Sequence, residues 1–224
     1  MRSLFIVSLP RSLSTRTYQL CREALGLAEP GWTSDGEVLN LDRYTLWGDE
    51  AAGEGRKYTR QEWQPVHFQR ILAQLDQITR DHGYAYKDVV QPFAVSRWLP
   101  TRDFRILKIE RPVVEVAYAM LERGWHYPRR VAESWPDLEA EVLQGLRRAH
   151  QALAAIPGEV VSFEALIHDE RVLEQAVQRL YPERPGIRFH YLDAAFVGIR
   201  EQVLARRRTP RFQRLSERLQ EVPP

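Results

Sequence analysis

Residues 8–17 read Ser8-Leu9-Pro10-Arg11-Ser12-Leu13-Ser14-Thr15-Arg16-Thr17, a run of hydroxyls and guanidinium groups with no acidic member. It follows four consecutive apolar residues, Leu4-Phe5-Ile6-Val7, and precedes Tyr18, Cys21 and Leu25 at helical spacing, with Gly26 as the stop. That order predicts strand, tight loop, helix, with Ser12 or Ser14 as the helix N-cap. A helix N-terminus leaves backbone N–H groups unpaired and carries about half a positive charge. Pro10, Arg11, Ser12, Leu13, Ser14 and Thr15 are therefore candidate ligands of a phosphate or sulfate group. No Gly or Lys lies between Ser8 and Thr17, so the loop is not of the G-x-x-x-x-G-K-[ST] type.

Three further groups could act with it. Arg111 stands at the exit of an apolar run, in Glu110-Arg111-Pro112, either as a second cation for an anion or paired with Glu110 or Glu115. Glu37, in Gly36-Glu37-Val38-Leu39-Asn40, is a candidate general base, with Asp35 and Asp42 as rivals. His67 and His82 flank one amphipathic stretch and are alternative bases. Arg206-Arg207-Arg208 could bring charge from the C-terminal tail. The histidines are scattered, and no His/Cys/Asp set has the spacing of metal ligands.

The elements that must position these groups alternate in type. Strands are expected at 4–7, 84–90, 104–109 and 159–163, with a short edge strand at 187–191. Helices are expected over 63–82, 93–99, from Val113 through Leu121, 137–155, 170–180 and from Ala194 onward. Residues 41–62, polar and interrupted by Gly48, Gly53 and Gly55, read as a flexible loop or lid. The fold class is α/β: a central parallel sheet of about four to five strands flanked by helices, in one domain spanning 1–224. Ligands of such sheets sit at the carboxyl ends of the strands, which places loop 10–15, Arg111 and the end of the fourth strand on one rim.

The string Pro10-Arg11-Ser12-Leu13-Ser14-Thr15 resembles the 5′-phosphosulfate loop of the sulfotransferase family, P-[KR]-S-G-[ST]-T. Leu13 replaces the usual Gly, which a backbone at negative φ would tolerate. Arg111, Glu115 and Val116 match the family's R-[DN]-P-x-[DE]-V-x-x-S pattern in register, with Pro112 one place early and Ala119 where Ser is expected. Residues 160–166 resemble its strand-then-Y-E-D-L stretch, and Lys87 a lysine of its second strand. The likeness runs over residues 3–182. It implies a P-loop-like fold and PAPS (3′-phosphoadenosine 5′-phosphosulfate) as sulfuryl donor. It further implies Arg11 at the phosphosulfate and Arg111 at the 3′-phosphate; Tyr118 or an Arg of 206–208, taken as Arg207, could stand in for the absent Ser. Bacterial carbohydrate sulfotransferases carry a Glu in the place of Glu37 as base. The scheme uses no metal, and the acceptor would be a small molecule or carbohydrate bearing a hydroxyl or amine.

Composition excludes little beyond this. The chain has 224 residues, a net charge of +2, and 32 basic residues of which only Lys57, Lys87 and Lys108 are lysines. Arginine suits planar contact with phosphate and sulfate. A single Cys21 permits no internal disulfide. No stretch reads as a signal peptide or membrane span, so a cytoplasmic protein is expected. The basic tail lacks interleaved aromatics and a nucleic-acid motif, so neither nucleic acid nor membrane is an expected partner. A nucleotide-dependent phosphotransferase of related fold and a non-catalytic nucleotide-binding module are the alternative readings.

Overall fold

The computed structural model describes residues 1–30, 36–38, 72–73, 75–77, 79–89, 92–125, 137–169, 171–189 and 193–221. Four strands, β1 (Leu4–Ser8), β2 (Ala85–Asp88), β3 (Arg105–Glu110) and β4 (Glu159–Ser162), form one sheet in the order β2-β1-β3-β4. Every pairing is parallel; Ile6 lies opposite both Lys87 and Leu107, and Val7 opposite Asp88 and Lys108. The helices are α1 (Ser14–Leu25), α2 (Pro92–Trp98), α3 (Val113–Leu121), α4 (Leu138–Ala154), α5 (Phe163–His168), α6 (Arg171–Leu180), α7 (Asp193–Arg207) and α8 (Pro210–Glu221).

All five residues of β1 are buried, and their alternation divides the core. Phe5 and Val7 belong to a cluster with Trp98, Val116, Met120, Val142 and Leu146, from α2, α3 and α4. Leu4 and Ile6 belong to the opposite cluster, with Tyr18, Cys21, Leu173 and Val177 from α1 and α6. Each such side chain contributes about 1.5–3 kcal/mol by leaving water. Continuous burial on both faces is why this strand reads as an unbroken apolar run. Helix α1 ends where Gly26, at φ 60°, donates to the Glu23 carbonyl at 3.1 Å while Leu27 donates to Arg22 at 2.9 Å, a left-handed cap.

The boundaries shift by a residue or two, and three expectations change. Residues 187–189 pair with no strand; instead the Phe189 N–H donates to Glu174 at 3.0 Å, so a side chain takes the place of a sheet partner. Ser162 ends β4 and caps a short helix that the periodicity did not separate, accepting from the Ala165 N–H at 3.0 Å. The C-terminal tail is two helices, divided at Arg208-Thr209-Pro210, where Thr209 Oγ1 accepts from Phe212 N at 3.2 Å. The stretch read as a lid, 41–62, lies outside the described residues, as do most of 63–82 and the rivals Asp35 and Asp42.

Candidate anion-binding site

The chain leaves β1 toward β2 on one side and returns to β3 on the other. The crevice at the carboxyl ends of β1 and β3 is therefore the topological switch point, where open parallel sheets bind ligands. The loop of residues 9–13 and the turn at Arg111 face each other there.

The loop does not take the expected conformation. Neither Ser12 nor Ser14 caps α1: Leu13 is the N-cap residue, at φ 64°, without a side-chain hydrogen bond, and Ser12 Oγ donates back to the Pro10 carbonyl at 3.3 Å. Arg11 is also left-handed, at φ 60°. The expectation of negative φ at Leu13 thus fails, although this is the residue where the resembling pattern carries Gly. A non-glycine residue here costs about 1–2 kcal/mol; Leu13 offsets part of this by packing against the α1 side of the sheet. A helix capped by no side chain keeps its first N–H groups for another acceptor.

Arg111 holds this conformation in place. It is 4% exposed. One terminal nitrogen donates to the Arg11 carbonyl, Nε donates to Glu115 Oε2 at 3.1 Å, and the guanidinium lies 3.8 Å from the Phe163 ring centroid. The second oxygen of Glu115 accepts from Arg207 Nε at 2.8 Å, and Arg207 also donates to Glu164. Glu164 in turn lies 3.0 Å from His168 Nε2. Breaking a buried pair such as Arg111–Glu115 from one side costs about 3–5 kcal/mol.

Above this layer the field is positive. Burial first, then Arg123 and Arg206, lowers the Arg11 guanidinium from its usual value, against a smaller opposing pull from Glu122. Burial likewise lowers Arg111; Glu115 opposes this, while Arg206 and Arg11 add to it. Arg11 stands 5.4 Å from the Trp125 ring centroid and Arg123 5.9 Å from the same ring. Buried guanidinium groups lowered further by their cationic neighbours at a crevice are what a bound anion would relieve.

Glu37 lies on the other flank. It forms a single parallel bridge with Lys87, the Lys87 N–H donating to the Gly36 carbonyl at 2.7 Å and the Val38 N–H to the Lys87 carbonyl at 3.0 Å. Its Oε2 is 3.5 Å from Lys87 Nζ, with both side chains buried. The bridge extends the sheet one position beyond β2, which puts Glu37 about 10 Å from the line of β1. Lys108, also buried, reaches the opposite face and donates to the Leu153 and Ala154 carbonyls at 3.5 and 3.4 Å, closing the end of α4.

The structure thus brings together Arg11, Arg111 and the loop. It places Arg207 on two carboxylates and Glu37 on the far edge of β2. Ala119, where the pattern has Ser, is buried within α3. The sequence offers Glu115 only as one of two possible partners of Arg111, and it assigns no role to Glu164, Phe163 or Arg123. The i,i+4 spacing of Arg111 and Glu115 was the available signal. Among the described residues no group of three His, Cys, Asp or Glu side chains could hold a metal ion, and no helix is long and apolar enough to cross a membrane.

No family model matches the chain, and no curated protein matches it. Among solved structures it is similar to a sulfotransferase domain from the curacin biosynthetic pathway, at 12% identity and a TM-score of 0.45, over 98% of each chain.

Proposed function

We propose that the protein transfers a sulfuryl group from PAPS to a hydroxyl or amine of a small-molecule or carbohydrate acceptor. The observation that carries this reading is the uncapped start of α1 behind loop 10–15, with Arg11 and Arg111 beside it, each lowered first by burial and further by neighbouring guanidinium groups. The phosphosulfate lies on the loop N–H groups and Arg11. The acceptor oxygen or nitrogen attacks sulfur in line, the bond from sulfur to the bridging oxygen breaks, and that oxygen's electron pair stays on the departing 5′-phosphate. Arg11 and the loop amides stabilise the charge that develops there. Glu37 takes the acceptor's proton. Arg206, near the end of α7, supplies charge for the 3′-phosphate in place of the hydroxyl missing at Ala119, while Arg111 and Arg207, already matched by Glu115 and Glu164, fix the loop from beneath. No metal takes part.

Calorimetric titration with 3′-phosphoadenosine 5′-phosphate, beside AMP, ADP and ATP with magnesium, tests this. Micromolar binding that requires the 3′-phosphate, weakened about tenfold or more in a folded Arg11→Ala variant, is expected. Preference for ATP with magnesium would replace the reading with phosphoryl transfer. Equal binding by Arg11→Ala would remove Arg11 from the site.

A further inference from the structure

The ion pairs around Arg111 link two distant parts of the chain. Glu115 spends one carboxylate oxygen on Arg111, in the strand-to-helix turn after β3, and the other on Arg207, at the last residue of α7. Arg111 in turn holds the carbonyl of Arg11, the first of the two left-handed residues in the loop. The chain of contacts is therefore α7 to Arg207, to Glu115, to Arg111, to the loop backbone. Its inner half is dry: the Arg111 and Glu115 side chains are 5% and 4% exposed, whereas Arg207 is 31% exposed. The carboxylate thus sits between a buried guanidinium and one that water can reach.

Its charges close on themselves. Arg111 and Arg207 are matched by Glu115 and Glu164. The clamp therefore contributes shape rather than net charge to the crevice. Arg206, one residue before Arg207, pairs with Glu122 at 2.5 Å and acts electrostatically on both Arg11 and Arg111. Seating Arg207 on Glu115 also seats its neighbour above the loop.

We propose that Glu115 is a positioning residue for the anion loop, and that through Arg207 it makes the loop's left-handed conformation depend on the C-terminal helix α7. The role deepens the anion-binding reading above and rests on it for its purpose, though the clamp itself can be read without any nucleotide. Two left-handed non-glycine positions one residue apart, Arg11 and Leu13, are intrinsically disfavoured, so something must hold them. A charge-assisted hydrogen bond from a buried guanidinium is strong enough, provided the guanidinium is itself held.

Amide hydrogen exchange on the full chain tests this without ligand. In Glu115→Gln, exchange at Thr17, whose N–H donates to the Leu13 carbonyl at 2.9 Å where the loop joins α1, should rise at least about tenfold, the loss of one charge-assisted contact, while amides of β1 and β3 keep their protection. Arg207→Gln breaks the same clamp from its exposed end and should give the same pattern, which covers the case in which Glu115→Gln does not fold. Arg218→Gln removes a different ion pair of the C-terminal helices, with Asp137 and Glu139, and should leave the loop unmoved. Thr17 exchange within about twofold of the unaltered protein in a folded Glu115→Gln or Arg207→Gln variant would overturn the proposal. So would a rise of the same size in Arg218→Gln, or loss of protection across the whole sheet. Titration of the unaltered protein with 3′-phosphoadenosine 5′-phosphate is read separately. Absent binding with a responsive loop would refute the donor assignment and leave the clamp standing; binding with an unresponsive loop would do the reverse.

Discussion

Gly36 offers the sharpest test of how Glu37 is placed. Its φ is +73°, and a Cβ built on it would lie 2.2 Å from Tyr18 Cε2, 2.6 Å from Cζ and 2.8 Å from Cδ2. Tyr18 is fully buried in α1 against the sheet, so the ring has no open space to enter. Gly36→Ala should therefore cost about 1 kcal/mol for the left-handed backbone and about 1–3 kcal/mol for overpacking, so about 2–4 kcal/mol together. Urea denaturation at constant m measures this directly. The Gly36 carbonyl accepts from the Lys87 N–H, so relief of the clash by backbone movement would also drag Glu37 off its bridge and away from Lys87. Combining Gly36→Ala with Tyr18→Leu removes the ring that the Cβ meets. The double variant should be more stable than the sum of the single losses by about 1 kcal/mol or more. A cost below about 1 kcal/mol for Gly36→Ala alone, or strict additivity with Tyr18→Leu, would refute this packing of the Glu37 segment on α1.

Three other outcomes are expected. Glu37→Gln should lower kcat about 10²-fold or more while affinity for 3′-phosphoadenosine 5′-phosphate stays within about twofold; unaltered turnover would remove Glu37 from the mechanism. Side-chain hydrogen bonds hold three carboxylates below their usual range: Glu164 chiefly through Arg207, Asp76 through Arg102 and Asp137 through Arg218. A depressed folded value means that the unfolded chain binds more protons in acid, so these groups stabilise the protein above about pH 4 and lose that contribution as pH falls through their folded values. Thermal midpoints should thus fall steeply below pH 4, and Arg207→Gln should flatten that slope; an unchanged slope would count against the Glu164 pairing. At position 13, Leu13→Gly should be more stable than Leu13→Ala by about 1 kcal/mol, because both lose the side-chain packing but only glycine relieves the left-handed backbone. Equal or reversed stabilities by denaturation would refute the conformation at that residue.

The sheet was legible because its strands are short and bounded by turn residues, with apolar runs at the centre of β1 and β3, and β1 is so dry on both faces that no helix period fits it. The loop was legible as a place and not as a shape. Hydroxyls at Ser12 and Ser14 advertise caps, yet the backbone turns left-handed at Arg11 and Leu13 and satisfies its constraints through Arg111, 100 residues away in the chain. Local propensity cannot register a contact of that separation. The expected edge strand at 187–191 misled for a related reason over its described part: Ile187 and Phe189 pack, but Glu174 takes the Phe189 N–H. Arg207 was picked from a cluster of three arginines with nothing to rank them. Its ranking comes only from which guanidinium meets Glu115 and Glu164.

That ranking changes what an approaching anion would meet. Counted by residue type, the crevice holds Arg11, Arg111, Arg123, Arg206 and Arg207. Counted by partner, Arg111 and Arg207 are already matched by Glu115 and Glu164, and Arg206 shares its charge with Glu122. Arg11, beside the Trp125 ring and lowered first by burial and then by Arg123 and Arg206, is then the charge with most to gain from an anion, and it stands on the loop itself. A buried guanidinium bound to a carboxylate is a poor ligand but a good anchor: exchanging Glu115 for a phosphate would leave the carboxylate dry and unpaired on one side. The economical division of labour is therefore Arg111 below the loop, fixing its shape, and Arg11 above it, meeting the charge.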